Sequence, residues 1–235
     1  MNPPILKSSG HLAVLATVLF MPALTRAATV IGSLPYTISA PGVYELKSNL
    51  TANGTIGITV QAANVVINLN GFTLAQGETG PENQKDGIDI SADNVTIRNA
   101  TISDFQSGVS VTGSQCKAQD LKLLGNAANG VLLFSGNDNT VVNCFIIGRN
   151  GVPDNLGIFV RSGSGDLVKD NQISETSGGI DSTFASGCAF VHNYVANSFR
   201  GLDRSTSDYY QGNVVTGCHF AFTGGNVIGA ENGGN

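Results

Sequence analysis

A glycine followed by an aliphatic residue returns at Gly57-Ile58, Gly87-Ile88, Gly108-Val109, Gly130-Val131, Gly157-Ile158, Gly179-Ile180 and Gly201-Leu202, in steps of 30, 21, 22, 27, 22 and 22 residues. A base period of about 22 residues marks a repeat whose single unit cannot close a core, so each unit must bury its apolar face against the next. The clearest unit runs from Thr55 to Leu74. Gly57 to Val60 alternates apolar and polar, Ala63-Asn64 interrupts, Val65 to Leu69 starts a second strand, and Asn70-Gly71 turns into Phe72-Thr73-Leu74. None of the units carries the 3.6-residue period of a helix. Three short strands per turn predict an all-β, right-handed, single-stranded parallel β-helix of about eight coils, its strands stacked into three long parallel sheets.

A second register supports the first. Leu69, Ile97, Ala118, Val141, Val168, Phe190 and Tyr210 each precede by five residues an apolar partner, namely Leu74, Ile102, Leu123, Ile146, Ile173, Val195 and Val215. Between the partners falls a polar turn with Asn99, Asp120, Asn143, Asp170 and His192 in one column and Asn171, Asn193 and Asn213 in the next. Asn and Asp tolerate left-handed dihedrals and bond to neighbouring backbone, so these columns are expected to form structural ladders. The runs NVVINLNGFTLAQ at Asn64 to Gln76, YTISAPGVYELKSNLT at Tyr36 to Thr51, NVTIRNATIS and HNYVANS resemble the right-handed β-helix repeats of secreted bacterial proteins in the pectate-lyase-like superfamily. That resemblance implies the fold and, for many members, activity on carbohydrate. The Asn-Thr-Asp, Asp-Asp and Gly-His-Gly signatures of polygalacturonases do not stand in the chain, nor does a clear calcium-binding Asp cluster with the Arg of pectate lyases.

At the N-terminus, Lys7 and His11 precede an apolar run from Leu12 to Leu24 that ends in small residues, so residues 1–27 read as a secretory signal peptide and the product as secreted or periplasmic. No stable membrane insertion is expected once that segment is removed. Removal of Lys7 and Arg26 takes the net charge from −5 to −7, and with 12% charged residues the chain offers no basic surface to nucleic acid. Residues 28–53 are expected to hold the N-terminal cap and a first strand, 54–223 the solenoid, and 224–235 a frayed tail. The four cysteines are read as unpaired and mostly buried. Cys116 and Cys188 occupy equivalent positions three coils apart, about 14 Å by strand spacing, where a disulfide needs Cα atoms within about 7 Å.

Chemistry is expected on outward positions of the strand that follows each glycine. Two residues after the glycines stand Thr59, Asp89, Ser110, Leu132, Phe159, Asp181 and Asp203; four residues after them stand Gln61, Ser91, Thr112, Phe134, Arg161, Thr183 and Ser205. Asp181 and Asp203 are thereby predicted to stack about 4.8 Å apart with Arg161 one coil away on the parallel column. Such a carboxylate pair suits acid/base work on a glycosidic bond, or holding calcium against a uronate, and is equally read as solvated surface acids neutralised by Arg161 or Arg204. Two insertions, Gln76 to Lys85 and Arg149 to Leu156, leave from one corner and are expected to bracket a groove lined by Asp89, Ser110, Phe134 and Phe159. His192 belongs to the ladder, and of Tyr209-Tyr210 one is expected to point inward. Two function classes stay open: a protein acting on or binding a polysaccharide or surface glycan, and a structural or adhesive surface protein without a reaction.

Overall fold

The computed structural model describes residues 27–78, 85–149, 152–182 and 184–224, together with the backbone of Gly233–Gly234. The expected signal peptide therefore lies outside the described residues, apart from Ala27, as do parts of both insertions and most of the expected tail. Strands Tyr36–Ile38, Ile58–Val60, Ile88–Ile90, Ser107–Val111, Asn129–Leu133, Leu156–Val160, Gly178–Asp181, Arg200–Arg204 and Phe220–Gly224 form a nine-stranded parallel sheet in chain order. Its register is the one the glycine column predicts: Ile58 pairs with Ile88, Ile88 with Val109, Val109 with Val131, Val131 with Ile158, Ile158 with Ile180 and Ile180 with Leu202. This column is buried, and it holds the coils together because each large aliphatic side chain taken from water contributes about 1.5–3 kcal/mol.

The other strands join into one sixteen-stranded sheet rather than the two expected. Val95–Ser103 and Lys117–Asn126 run unbroken through the second corner of their coils, with Asn99 and Asp120 at φ of 60° and 54° turning the chain inside a continuous strand. One left-handed residue suffices for the bend, so the ladder on either side is not lost. The second register needs one correction. Ile67, not Leu69, pairs with Ile97, because Asn70-Gly71 adds two residues to the turn of that coil; Leu69 is buried beside the turn. From Ile97 onward the pairs follow the predicted column to Tyr210, and the Leu74 column runs to Val215.

The glycine column is a matter of space. A Cβ on Gly130 would stand 2.6 Å from the carbonyl oxygen of Gly157 and 2.6 Å from Cγ2 of Ile146, and Gly87 and Gly157 meet the same obstacle one coil on. Here the nine-stranded sheet closes against the Leu74–Val215 column, leaving no room for a side chain. At the opposite corner the amide column forms a buried ladder. The Asn171 amide donates to Oδ1 of Asn193 at 3.1 Å and the Asn193 amide to Oδ1 of Asn213 at 2.9 Å, while their Nδ2 atoms donate to the carbonyls of Val141, Val168 and Phe190. Cys144 takes the place above, its amide donating to Oδ1 of Asn171.

The expected cap segment contains Thr29–Ile31, Tyr36–Ile38, Gly42–Leu46 and Leu50–Ala52, all paired into the sheets, so it supplies a complete coil of its own. In the expected tail, Gly233–Gly234 pairs with Val214–Thr216. All four cysteines are free; Cys116, Cys144 and Cys188 are buried and Cys218 is partly so. Tyr210 is the inward tyrosine, stacked on Phe190 at 5.1 Å, and Tyr209 points out.

Candidate functional site

Asp181 and Asp203 are direct register partners on neighbouring strands, and Phe159 precedes Asp181 in the same outward column. The cation that meets Asp203 differs from the expected one. Arg200 Nη1 lies 3.1 Å from Asp203 Oδ2, three residues away on the same strand. Arg161 instead lays its guanidinium over the ring of Phe134, 4.4 Å from the centroid. The reason is positional: Arg161 lies one coil from Phe134 in the column two residues further along the strand, roughly 6.6 Å from the carboxylate column. A guanidinium over an aromatic face gains cation–π attraction while keeping its edge hydrated. Arg204 is occupied at the end of the solenoid, donating to the carbonyls of Thr223 and Gly224 and lying 5.3 Å from the Phe222 centroid.

Around Arg161 the chain forms an open cavity of about 440 Å³, lined by Phe134, Arg161, Ser162 and Phe184. The backbone is drawn tight there, with the Ser162 hydroxyl donating to the Phe134 carbonyl at 2.7 Å and the Ser135 hydroxyl to that of Thr112 at 3.2 Å. Phe134 is 40% exposed and Phe184 71%. Two accessible rings and a cation thus stand on three successive coils. Phe184 was not among the residues singled out from sequence, because it lies in the turn after the strand, where the in/out alternation no longer applies. The available signal was a phenylalanine standing among small residues in Ser182 to Gly187.

The groove expected between the insertions is less open. Ser110 stands in the outward column but is buried there, its hydroxyl bonded to the carboxyl of Asp86. Asp86 also accepts from the Ser107 amide at 3.2 Å, and Asn129 Nδ2 donates to the Ser107 hydroxyl at 3.2 Å. Asp89 is half-buried beside them, and loss of hydration raises the carboxyls of both Asp86 and Asp89 above the usual range. These residues plug the floor of the groove with a polar cluster. Phe159 is half-buried between Leu132 and Asp181. Among the described residues no three His, Cys, Asp or Glu side chains converge to hold a metal ion.

A second ladder, unforeseen in the sequence, runs inside the other turn. The Cys116 amide donates to Oδ1 of Asn139, the Asn139 amide to Oδ1 of Asp166 at 2.7 Å, and the Cys188 amide to Oδ1 of Asp208. Burial pushes the Asp166 carboxyl up to about 6 and the Cys188 thiol up to about 12. Asp166 and Asp208 face inward and accept backbone bonds, so they serve the stack. His192, at φ of 55°, likewise stands in the exposed turn ladder 3.7 Å from Asp170.

Parallel stacking, a glycine column facing the core and amide ladders at the corners define a right-handed β-helix. The profile of the right handed β-helix region family matches residues 43–195 and, overlapping, 86–235, and the chain belongs to that family. No curated protein matches it. Among solved structures it is similar to PfbA, a surface adhesin of Streptococcus pneumoniae, at a TM-score of 0.49 and 11% identity over 75% of this chain and 60% of that one. It is also similar to the enzymatically active domain of tailspike protein 2 of bacteriophage CBA120, at a TM-score of 0.34 and 10% identity over 77% of this chain and 38% of that one. The chain thus spans 60% and 38% of these two relatives.

Proposed function

We propose that this is an exported glycan-binding protein that holds an acidic carbohydrate in the slot at Phe134, Arg161, Ser162 and Phe184 without cleaving it. The observation that carries the reading is the pairing of Arg161 with two exposed aromatic rings around an open cavity of about 440 Å³. Sugar rings present apolar C–H faces that stack on aromatic rings, and a guanidinium recognises a carboxylate or sulfate in a two-pronged geometry. Binding is favoured over catalysis because Asp203 is engaged by Arg200, while Arg161 turns from the carboxylates to Phe134 and the open cavity.

Purified protein is to be tested against polygalacturonate, alginate, hyaluronan and neutral glucans by affinity electrophoresis, following reducing ends and unsaturated products in parallel. The expected result is retention on at least one acidic polymer, loss of at least tenfold in affinity in Arg161→Ala, and no product. Retention unaffected by Arg161→Ala, or retention on none, refutes the reading. Product formation abolished by Asp181→Asn and Asp203→Asn would establish catalysis in its place.

A further inference from the structure

The corner where the third strand of each coil meets the nine-stranded sheet carries a second depression, of about 240 Å³, on the opposite edge of that sheet from Arg161. Its platform is Phe199, 55% exposed. One face of this ring is covered by His219 from the following coil, with centroids 5.2 Å apart and planes 9° from parallel, and Phe220 meets it edge-on at 87°. The ring is therefore fixed with its plane across the solenoid axis. On its other side the register places Ser177, one residue before the Gly178 that pairs with Arg200. A serine is small beside that ring, and the depression is further lined by Arg149, Val152, Glu175, Thr176 and Asn197. An apolar ring face between a guanidinium, a carboxylate and an amide has the make-up of a site for one sugar ring.

We infer that the Phe199 corner is a second sugar-binding site and that a glycan bound at Arg161 crosses the nine-stranded sheet along its strands to reach it, rather than following the solenoid axis. This rests on the glycan reading above. The two sites share two coils: Val152 and Arg161 flank the strand Leu156–Val160, while Ser177 and Phe184 flank Gly178–Asp181. Six residues separate Asn155, which precedes the Leu156 that pairs with Gly178, from Arg161, a distance of about 20 Å at ~3.3 Å per residue. Along Leu156–Val160 the ground between carries half-buried Leu156 and Phe159, and on the neighbouring strand buried Gly178 and the Asp181 carboxyl. Two sites joined by one ligand raise affinity steeply once the ligand spans both.

The test uses oligomers of two to eight units of galacturonate, of mannuronate with guluronate, and of the hyaluronan repeat, titrated by calorimetry into the wild type and three variants. For at least one series, affinity is expected to rise tenfold or more between three and six units. Phe199→Ala removes the aromatic platform and Ser177→Leu fills the slot; each should abolish that rise while leaving the affinity of the shortest binding oligomers within twofold. Arg161→Ala should weaken every length. A rise that survives in both Phe199→Ala and Ser177→Leu, or affinity independent of length in the wild type, overturns the transverse path while leaving the Arg161 slot standing. Absence of wild-type binding at every length removes both readings together.

Discussion

The glycine column makes a sharp claim about stability, and Gly130→Ala tests it. The new methyl carbon would lie 2.6 Å from a backbone oxygen, 2.6 Å from Cγ2 of Ile146 and 3.2 Å from its Cδ1. Comfortable contact between carbons begins at about 3.5 Å, so both neighbours must retreat by close to 1 Å. Neither has freedom to do so: the oxygen belongs to Gly157 in the sheet, and Ile146 is buried between Leu123 and Ile173. Overpacking of this kind costs about 1–3 kcal/mol. For a chain of this size each kcal/mol moves the melting temperature by roughly 2–4 °C, so a fall of about 2–12 °C is expected by circular dichroism. Gly32→Ala is the control. No atom lies within 4 Å of its would-be Cβ and its φ is not in the left-handed region, so alanine should leave the melting temperature unchanged or raise it slightly through the unfolded chain. If Gly130→Ala melts with the wild type, or Gly32→Ala falls as far, close approach is not what places glycine here.

Three further outcomes follow from the interior. Asp166, held at about 6 by burial against an unfolded value of about 3.9, binds its proton more tightly when folded; its stabilisation is full below the unfolded value and is lost as pH rises through 6. Urea midpoints of the wild type should therefore fall relative to those of Asp166→Asn between pH 4 and about 7, since asparagine keeps the acceptor for the Asn139 amide; parallel curves would refute the assignment. Asn193→Ala strips the acceptor from the Asn171 amide and the donor from the Val168 carbonyl, both buried, and should cost about 3–5 kcal/mol by urea midpoint, whereas the exposed Asn143→Ala should cost only the about 1–2 kcal/mol of an alanine at φ of 54°. Against a thiol reagent at neutral pH, the native protein should show slow partial reaction at Cys218 alone and four thiols only after denaturation, because burial both covers the other three and raises their thiols; rapid titration of all four would contradict the stack.

How much of this could be read from the sequence depends on how tightly each position is constrained. The Ile58 to Leu202 column was legible because burial tolerates only one residue class at each step, and the repeat states that restriction seven times. Leu69 misled because a five-residue spacing was imposed on a coil whose Asn70-Gly71 turn is two residues longer, and both Ile67 and Leu69 are apolar and buried. The union of two expected sheets was hidden for another reason. An Asn or Asp at positive φ reads as a loop, yet at Asn99 and Asp120 it bends a strand without ending it. The second ladder was invisible because its column mixes three residue types, Cys116 and Cys188 with Asn139, Asp166 and Asp208, that share only the capacity to meet a backbone amide or fill its place.

The site was legible by column but not by partner. Alternation placed Asp181 beside Asp203 and Arg161 on the column of Phe134, and both placements hold. What alternation cannot rank is which neighbour a long side chain will choose. Arg161 had a carboxylate column about 6.6 Å to one side and an aromatic ring directly one coil away. An exposed ion pair contributes about 0–1 kcal/mol and an exposed cation–π contact about 0.5–1 kcal/mol, so geometry decides between near equals. Asp203 meanwhile finds Arg200 three residues back on its own strand, a pairing that needs no reach across coils. Asp203 is thus paired with Arg200 rather than Arg161, and Arg161 keeps an exposed guanidinium between the coils of Phe134 and Phe184. The same local preference that turns Arg161 away from the carboxylates leaves its guanidinium at the open cavity beside Phe134 and Phe184.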